Sequence, residues 1–283
     1  MNRRARLAAA LAVSAALLAT TGCNKLRARD QLNKGVQSYK TANYEVAMEH
    51  FKNAVNYDPD LKVAKLYLAT AYAQQYVPGV DTKENLDNAR QAIAEYSDVL
   101  KNDPNNPNSL LGIAYLYMNM KQFDQAREYY KKSIASDPNN PEAYYSVGVI
   151  DWNQVYRDIA ERKAKLGLKV EEPLKGGKQS QVCAEIKAKD GPVIDEGMNT
   201  LQTAMQKRDD YDDAMVYVNL LYLRKADTEC DDPQAAAADR KMSDQWADKA
   251  MAARKKKAEA AAKKSNRGGI ILEQQSQNPD QKK

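Results

Sequence analysis

The chain of 283 residues is 43% hydrophobic and 29% charged, which is enough apolar material for a buried core and enough charge for a solvated surface. Its formal charge of +5 is unevenly distributed: residues 1–22 carry +3 and residues 254–283 carry +6, which leaves −4 for the residues between them. A protein that binds nucleic acid needs a continuous basic face to neutralise phosphates. The charge pattern therefore argues against nucleic acid as a partner.

The N-terminus has the layout of an export signal. Three arginines among the first six residues precede an apolar stretch, residues 7–18, which is too short for a permanent transmembrane helix. Gly22-Cys23 follows, and this arrangement resembles the lipobox of bacterial lipoproteins, in which the cysteine is acylated and becomes the new N-terminus. The resemblance implies a signal peptide over residues 1–22, a lipidated Cys23 and an anchor linker over residues 23–27. An ordinary cleaved signal with an incidental cysteine is the alternative.

The residue after this cysteine is Asn24 rather than Asp. By the same resemblance to Gram-negative lipoproteins, an asparagine there favours the outer membrane. We therefore expect an exported outer-membrane lipoprotein that faces the periplasm.

Helical patterns further along the chain end in Asp-Pro pairs, and Pro104 and Pro138 are 34 residues apart. The segment from Pro107 to Asn140 carries aromatic, small and proline residues at regular positions: Tyr117, Phe123, Ala126, Tyr130 and Pro138. Residues 28–61 have the same pattern, with Gly35, Tyr44, Ala47, Phe51, Ala54 and Pro59. This period and these residue types resemble the tetratricopeptide repeat, a pair of antiparallel helices.

The resemblance implies an all-α, right-handed α-solenoid of about five repeats, closed by a C-terminal capping helix. The repeats are placed at residues 28–61, 62–106, 107–140, 141–211 and 212–253, with Ala47, Ala92 and Ala126 at close helix crossings. Residues 254–283 are assigned to a basic helix end and, from Ser265, a disordered tail whose polar composition cannot bury enough apolar surface to order it.

Three length irregularities fall between the first and second helix of their repeats, at residues 74–85, 156–191 and 227–233. In a solenoid these turns share one rim, so the rim is either a second contact surface or simply a place that tolerates insertion. Cys183 and Cys230 lie in the last two irregularities. Because export places them in an oxidising space, we predict a disulfide between them, with free thiols as the alternative.

In this family the first helices of the repeats line a concave groove, which by resemblance maps onto one set of residues here: Tyr39, Lys40, Leu111, Tyr115, Met118, Asn119, Tyr145, Val149, Trp152 and Asn153. Such an aromatic, largely uncharged surface suits an amphipathic helix or an extended peptide. The alternative is that the aromatic residues pack against the next repeat.

Chemistry of other kinds has no motif in the sequence. The single histidine, His50, has no cysteine or acidic cluster at metal-ligand spacing, and neither a phosphate-binding loop nor a nucleophile with its base is present. We therefore predict no enzyme activity, cofactor, metal or small-molecule substrate. The predicted function is a membrane-anchored protein-binding scaffold or adaptor in the bacterial cell envelope; the alternative is a pilotin-like or assembly factor for an outer-membrane secretin or pore.

Overall fold

A computed structural model describes the backbone of residues 3–174 and 178–276 and the side chains of residues 22–174 and 179–263. Within these residues every regular element is an α-helix. The helices in chain order are α1 (Arg3–Lys40), α2 (Tyr44–Tyr57), α3 (Lys62–Gln75), α4 (Lys83–Asn102), α5 (Pro107–Asn119), α6 (Phe123–Ser136), α7 (Pro141–Lys165), α8 (Lys178–Lys207), α9 (Asp212–Ala226) and α10 (Pro233–Ser276).

The chain divides into two compact halves, an N-terminal half, Met1–Pro138, and a C-terminal half, Asn139–Lys283. In the N-terminal half α1 packs on α2, α3 on α4 and α5 on α6, and neighbouring pairs meet through α2 and α3 and through α4 and α5. In the C-terminal half α7 packs on α8 and α9 on α10, while α9 also contacts α7 and α8. The prediction of an all-α solenoid built from helix pairs is therefore confirmed.

Local sequence sets the ends of these helices. Asn106 and Asn140 cap α5 and α7, since their side-chain oxygens accept hydrogen bonds from the backbone N–H groups of Ser109 at 3.0 Å and Glu142 at 2.9 Å. A proline occupies the first turn of both helices, where its missing N–H costs nothing. Three helices end at an aspartate that is followed by proline: Asp58, Asp103 and Asp137.

Small residues let the helices approach closely. Ala47, Ala92 and Ala126 are each 0% exposed, as expected for the close crossings of the repeats. Gly112 on α5 allows a second close approach, because a Cβ atom there would lie 2.5 Å from the ring of Tyr96 on α4. Glycine at this position therefore lets two consecutive repeats pack together.

The predicted insertion of the fourth repeat, residues 156–191, is mostly helical. Both helices of the repeat extend into it, because α7 continues to Lys165 and α8 begins at Lys178. Pro192 lies inside α8, where it removes one backbone hydrogen-bond donor. The extended parts bury three apolar side chains in the core of this half: Ile159, Cys183 and Ile186. This burial offsets the cost of the proline.

Two predictions at the chain ends also differ from the structure. The disordered tail is predicted from Ser265, but α10 continues to Ser276. Each residue added to an existing helix gains a hydrogen bond without a new nucleation step, so the packed beginning of α10 supports its continuation. Residues 277–283 lie outside the described residues. The predicted anchor linker, residues 23–27, belongs to α1 and leads directly into the buried Ala28.

Candidate protein-binding surfaces

Helix α5 presents an exposed aromatic side chain in the N-terminal half. Tyr115 is 54% exposed, whereas the neighbouring Leu111 and Met118 are half-buried. Asn119 follows Tyr115 by one helical turn, and its Nδ2 donates a hydrogen bond to the Tyr115 carbonyl oxygen at 2.8 Å. This bond does not use the side-chain oxygen of Asn119, Oδ1. This face therefore offers a ring for apolar contact and an amide oxygen for an incoming N–H donor.

Helix α1 contributes Tyr39 and Lys40 to the predicted groove. Lys40 is exposed, and Tyr39 is half-buried with its ring edge-on to Tyr44 at a centroid distance of 5.2 Å. Burial, and next the neighbouring Tyr44, raise the pKa of the Tyr39 phenol, while a hydrogen bond with Gln74 lowers it. The phenol therefore keeps its proton and remains a hydrogen-bond donor on this face.

Two of the four predicted groove residues of the C-terminal half, Tyr145 and Trp152, belong to a chain of aromatic rings. Tyr145 contacts the rings of Tyr211 and Tyr217 at centroid distances of 4.9 and 5.7 Å. Trp152 contacts Tyr217 at 5.4 Å and stacks on Tyr156 at 5.3 Å. Burial raises the pKa of Tyr145 and Tyr211 far above the usual range for tyrosine. These rings join α7 to α9.

The packing alternative describes most of these four groove residues. Val149 is only 4% exposed, and Tyr145 and Trp152 pack against the core of this half. Val149 is therefore removed from the candidate groove, because neighbouring residues cover its side chain. Asn153 stays half-buried and donates from Nδ2 to the Val149 carbonyl oxygen at 2.9 Å.

The two length irregularities of the C-terminal half meet in space. Cys183 at the start of α8 and Cys230 in the α9–α10 connection form a disulfide, with their Cα atoms 6.2 Å apart. Beside it, Lys163 at the end of α7 donates from Nζ to Asp227 Oδ1 at 2.7 Å and to the Val170 carbonyl oxygen at 2.8 Å. The disulfide thus joins the α9–α10 connection to α8, and Lys163 joins the end of α7 to both the α7–α8 and the α9–α10 connections.

No arrangement for metal binding occurs in the described part of the chain, where no three His, Cys, Asp or Glu side chains are grouped to hold an ion. Nδ1 of His50 forms a hydrogen bond with Gln31 Oε1 at 2.8 Å, which gives this histidine a structural role between α2 and α1. Cys23 is exposed on α1.

Comparison with known proteins supports the period read from the sequence. Residues 86–147, which include α5 and α6 with their close crossings, match the model of the tetratricopeptide repeat. This match agrees with the tetratricopeptide-repeat resemblance that the sequence shows. No curated protein matches it.

Solved structures share the tetratricopeptide fold. A crystal structure of MamA protein is 13% identical and has a TM-score of 0.55, with 82% of this chain and 94% of that chain covered. MamA from Desulfovibrio magneticus RS-1, residue 41 to the end, is 14% identical with a TM-score of 0.55, covering 81% and 96%. YrrB, described as a TPR protein with an unusual peptide-binding site, is 12% identical with a TM-score of 0.50, covering 80% and 90%.

The most deeply buried polar contacts of the described residues were not predicted from the sequence. Lys163 and Asp227 are 64 positions apart, and each lies in a stretch with many other charges. Asn85, which holds the α3–α4 connection, is one of several asparagines near a turn. The family pattern places the repeats, but it carries no signal for contacts between their irregular connections.

Proposed function

We propose that this tetratricopeptide protein is a membrane-anchored scaffold of the bacterial cell envelope that captures a peptide or helix of another protein on its first helices. The observation that carries the proposal is the face of α5, where Tyr115 is 54% exposed next to the amide of Asn119. Tyrosine is favoured at binding surfaces because a large ring and a hydroxyl are offered at little conformational cost. YrrB, which shares the fold, is described as having a peptide-binding site.

Photo-crosslinking in the native envelope tests this capture. A photoreactive amino acid at Tyr115 should yield a defined crosslinked protein, whereas the same group at Lys101, exposed on the second helix α4, should not. Tyr115→Ala should reduce the crosslink formed from position 119 about tenfold or more, as expected for an aromatic anchor. Its thermal midpoint should be unchanged because the ring is largely exposed. Equal crosslinking from positions 115 and 101 would contradict the proposal.

The membrane anchor is proposed at Cys23. Support comes from the export-signal layout, the lipobox resemblance and the exposure of this cysteine. Two or three acyl chains give stable anchoring where one chain is marginal. Among the described helices, none combines the length and the apolar character needed to cross a membrane. By the lipoprotein resemblance, Asn24 favours the outer membrane as the location of the anchor.

Acylation is tested by radiolabelled palmitate. Cys23→Ser should abolish incorporation of the label and release the protein from the membrane fraction. The double variant Cys183→Ser/Cys230→Ser should still be labelled and should remain in the membrane fraction. Unchanged labelling of Cys23→Ser would exclude the anchor.

A further inference from the structure

The connection between α3 and α4 is held in one conformation by a buried side chain. Asn85 is 6% exposed, and its Oδ1 accepts a hydrogen bond from Val77 N at 2.7 Å. Its Nδ2 donates to the carbonyl oxygens of Val77 at 2.8 Å and Val80 at 2.7 Å. Thr82 caps α4 by accepting from Asn85 N at 3.3 Å. These hydrogen bonds give the α3–α4 connection a defined conformation, whereas the sequence shows only an insertion there.

The α3–α4 connection forms one side of a cleft of about 590 Å³. The other sides are the surface of α4 and the turn from α5 to α6. Apolar side chains from three elements line the cleft: Tyr76, Leu86, Ile93, Tyr117 and Met120. Each of them is also packed on the core beneath, so the floor cannot collapse into the space. A preformed cleft of this size, with apolar side chains on its floor and polar groups around them, is what small-ligand and side-chain pockets have in common.

The polar groups of the cleft favour an anion at its edge. Two cations, Arg90 and Lys121, and one carboxylate, Asp81, belong to the lining. Arg90 forms an exposed pair with Asp87 at 2.5 Å, and such pairs contribute little and exchange readily. Lys121 is exposed in the turn before α6. The lining therefore has an excess of positive charge beside an apolar floor.

The cleft is also continuous with the candidate peptide-binding face. Asn119 lines the cleft and follows Tyr115 on α5 by one turn. A peptide lying on Tyr115 therefore reaches the cleft without crossing another element of the N-terminal half.

We propose that this cleft is an anchoring pocket for one bulky apolar side chain of a captured peptide, with an acidic residue beside that side chain contacting Lys121 and Arg90. The inference rests on the proposed capture of a peptide and names the chemistry of the partner. Interfaces usually contain such a pocket, because one buried side chain in a desolvated site supplies a large share of the binding free energy. The rim of the repeats then acts in recognition rather than as a tolerated insertion.

Four acetylated and amidated hexapeptides provide the probes. They share Gly-Ser at both ends and differ in the central pair, which is Phe-Asp, Phe-Lys, Ser-Asp or Ser-Lys. Titration of the full chain, followed by amide NMR shifts of residues 76–93 and 117–122, should rank Phe-Asp first. Its dissociation constant should be about fivefold lower than that of Phe-Lys, as for one exposed charge contact. Equal shifts from all four peptides, or shifts confined to other residues, would overturn the inference.

Charge reversal provides the sharper test. Lys121→Glu should remove or invert the preference for Phe-Asp over Phe-Lys, and the matched control Lys62→Glu, at an exposed site outside the cleft, should keep it. Leu86→Trp should fill the cleft and weaken both phenylalanine peptides, with a thermal melt to show that the fold persists. If crosslinking from position 115 persists while the peptides show no selectivity, the scaffold proposal stands and the pocket is refuted. If peptide selectivity holds while position 115 gives no crosslink, the scaffold proposal fails instead.

Discussion

Lys163 and Asp227 form an ion pair of 2.7 Å although their side chains are only 0% and 3% exposed. Burial lowers the pKa of Lys163, while the adjacent Asp227 carboxylate raises it. Arg224 is a second cation for the same carboxylate at 3.2 Å. Two buried charges of this kind hold the α9–α10 connection against the end of α7.

Removing the lysine should therefore destabilise the C-terminal half severely. Lys163→Met leaves the Asp227 carboxylate buried with only Arg224, and we expect a loss of about 3–5 kcal/mol in the free energy of unfolding. Lys165→Met is the matched control, because Lys165 pairs with Glu161 in solvent and its loss should leave the midpoint unchanged. Urea unfolding followed by circular dichroism measures both. Equal midpoints for the two variants would contradict a structural role for the buried pair.

The disulfide should stabilise the same region. Cys183→Ser/Cys230→Ser, or reduction of the native protein, removes a link across 47 residues and should cost about 2–4 kcal/mol. The Asp227 carbonyl oxygen lies 3.8 Å from Cys183 Sγ and 3.2 Å from Cys230 Sγ, so the losses from this variant and from Lys163→Met should not add. Non-reducing mass spectrometry that finds Cys183 and Cys230 as free thiols in the native protein would refute the bond itself.

Asp190 gives the stability a dependence on pH. It is 0% exposed, and burial together with the neighbouring Asp158 carboxylate raises its pKa to about 7; Lys189 and Arg162, which both contact Asp158, oppose this shift. Because the unfolded pKa is about 3.9, the contribution of this group is fully present below about pH 4 and is lost as the pH rises towards 7.

Replacing this carboxyl by an amide should remove that dependence. The change over the interval is up to about 4 kcal/mol, or about 1.4 kcal/mol for each pH unit between the two pKa values. The free energy of unfolding of Asp190→Asn minus that of the native protein should accordingly be larger at pH 8 than at pH 5. Chemical unfolding of both proteins at the two pH values measures the difference, and parallel pH profiles would refute the assignment.

Gly112 tests the packing of consecutive repeats. Gly112→Ala places a methyl group 2.5 Å from the Tyr96 ring, so the tyrosine must move, and we expect a loss of about 1–3 kcal/mol. Gly191→Ala is the comparison within a helix, because no atom outside its chain neighbours and its own helix backbone lies within 4 Å of the added Cβ. The following Pro192 disfavours a Cβ at this position, so we expect only that this variant costs less than Gly112→Ala. Thermal melts distinguish the two, and a neutral Gly112→Ala would show that the tyrosine ring moves without cost.

Most of the helix pairs can be predicted because their signals are local. The caps at Asn106 and Asn140, the Asp-Pro ends and the small residues at Ala47, Ala92 and Ala126 each act within one or two turns of the chain. The candidate groove is predicted less well. Tyr115 and Val149 occupy the same position of the family pattern on different helices, yet Tyr115 is exposed and Val149 is buried. The packing of neighbouring helices, which the pattern does not contain, makes this difference.

The sequence by itself determined the helical class, the period of 34 residues and the capped or Asp-Pro ends of helices in the regular repeats, because periodicity and capping depend on residues close together in the chain. The tertiary structure alone decided that residues 156–165 and 178–191 are helical, that Asn85 orders the α3–α4 connection, and that Lys163 meets Asp227. These contacts join residues brought together by packing, and the free energy that selects them comes from burial that no short segment has on its own.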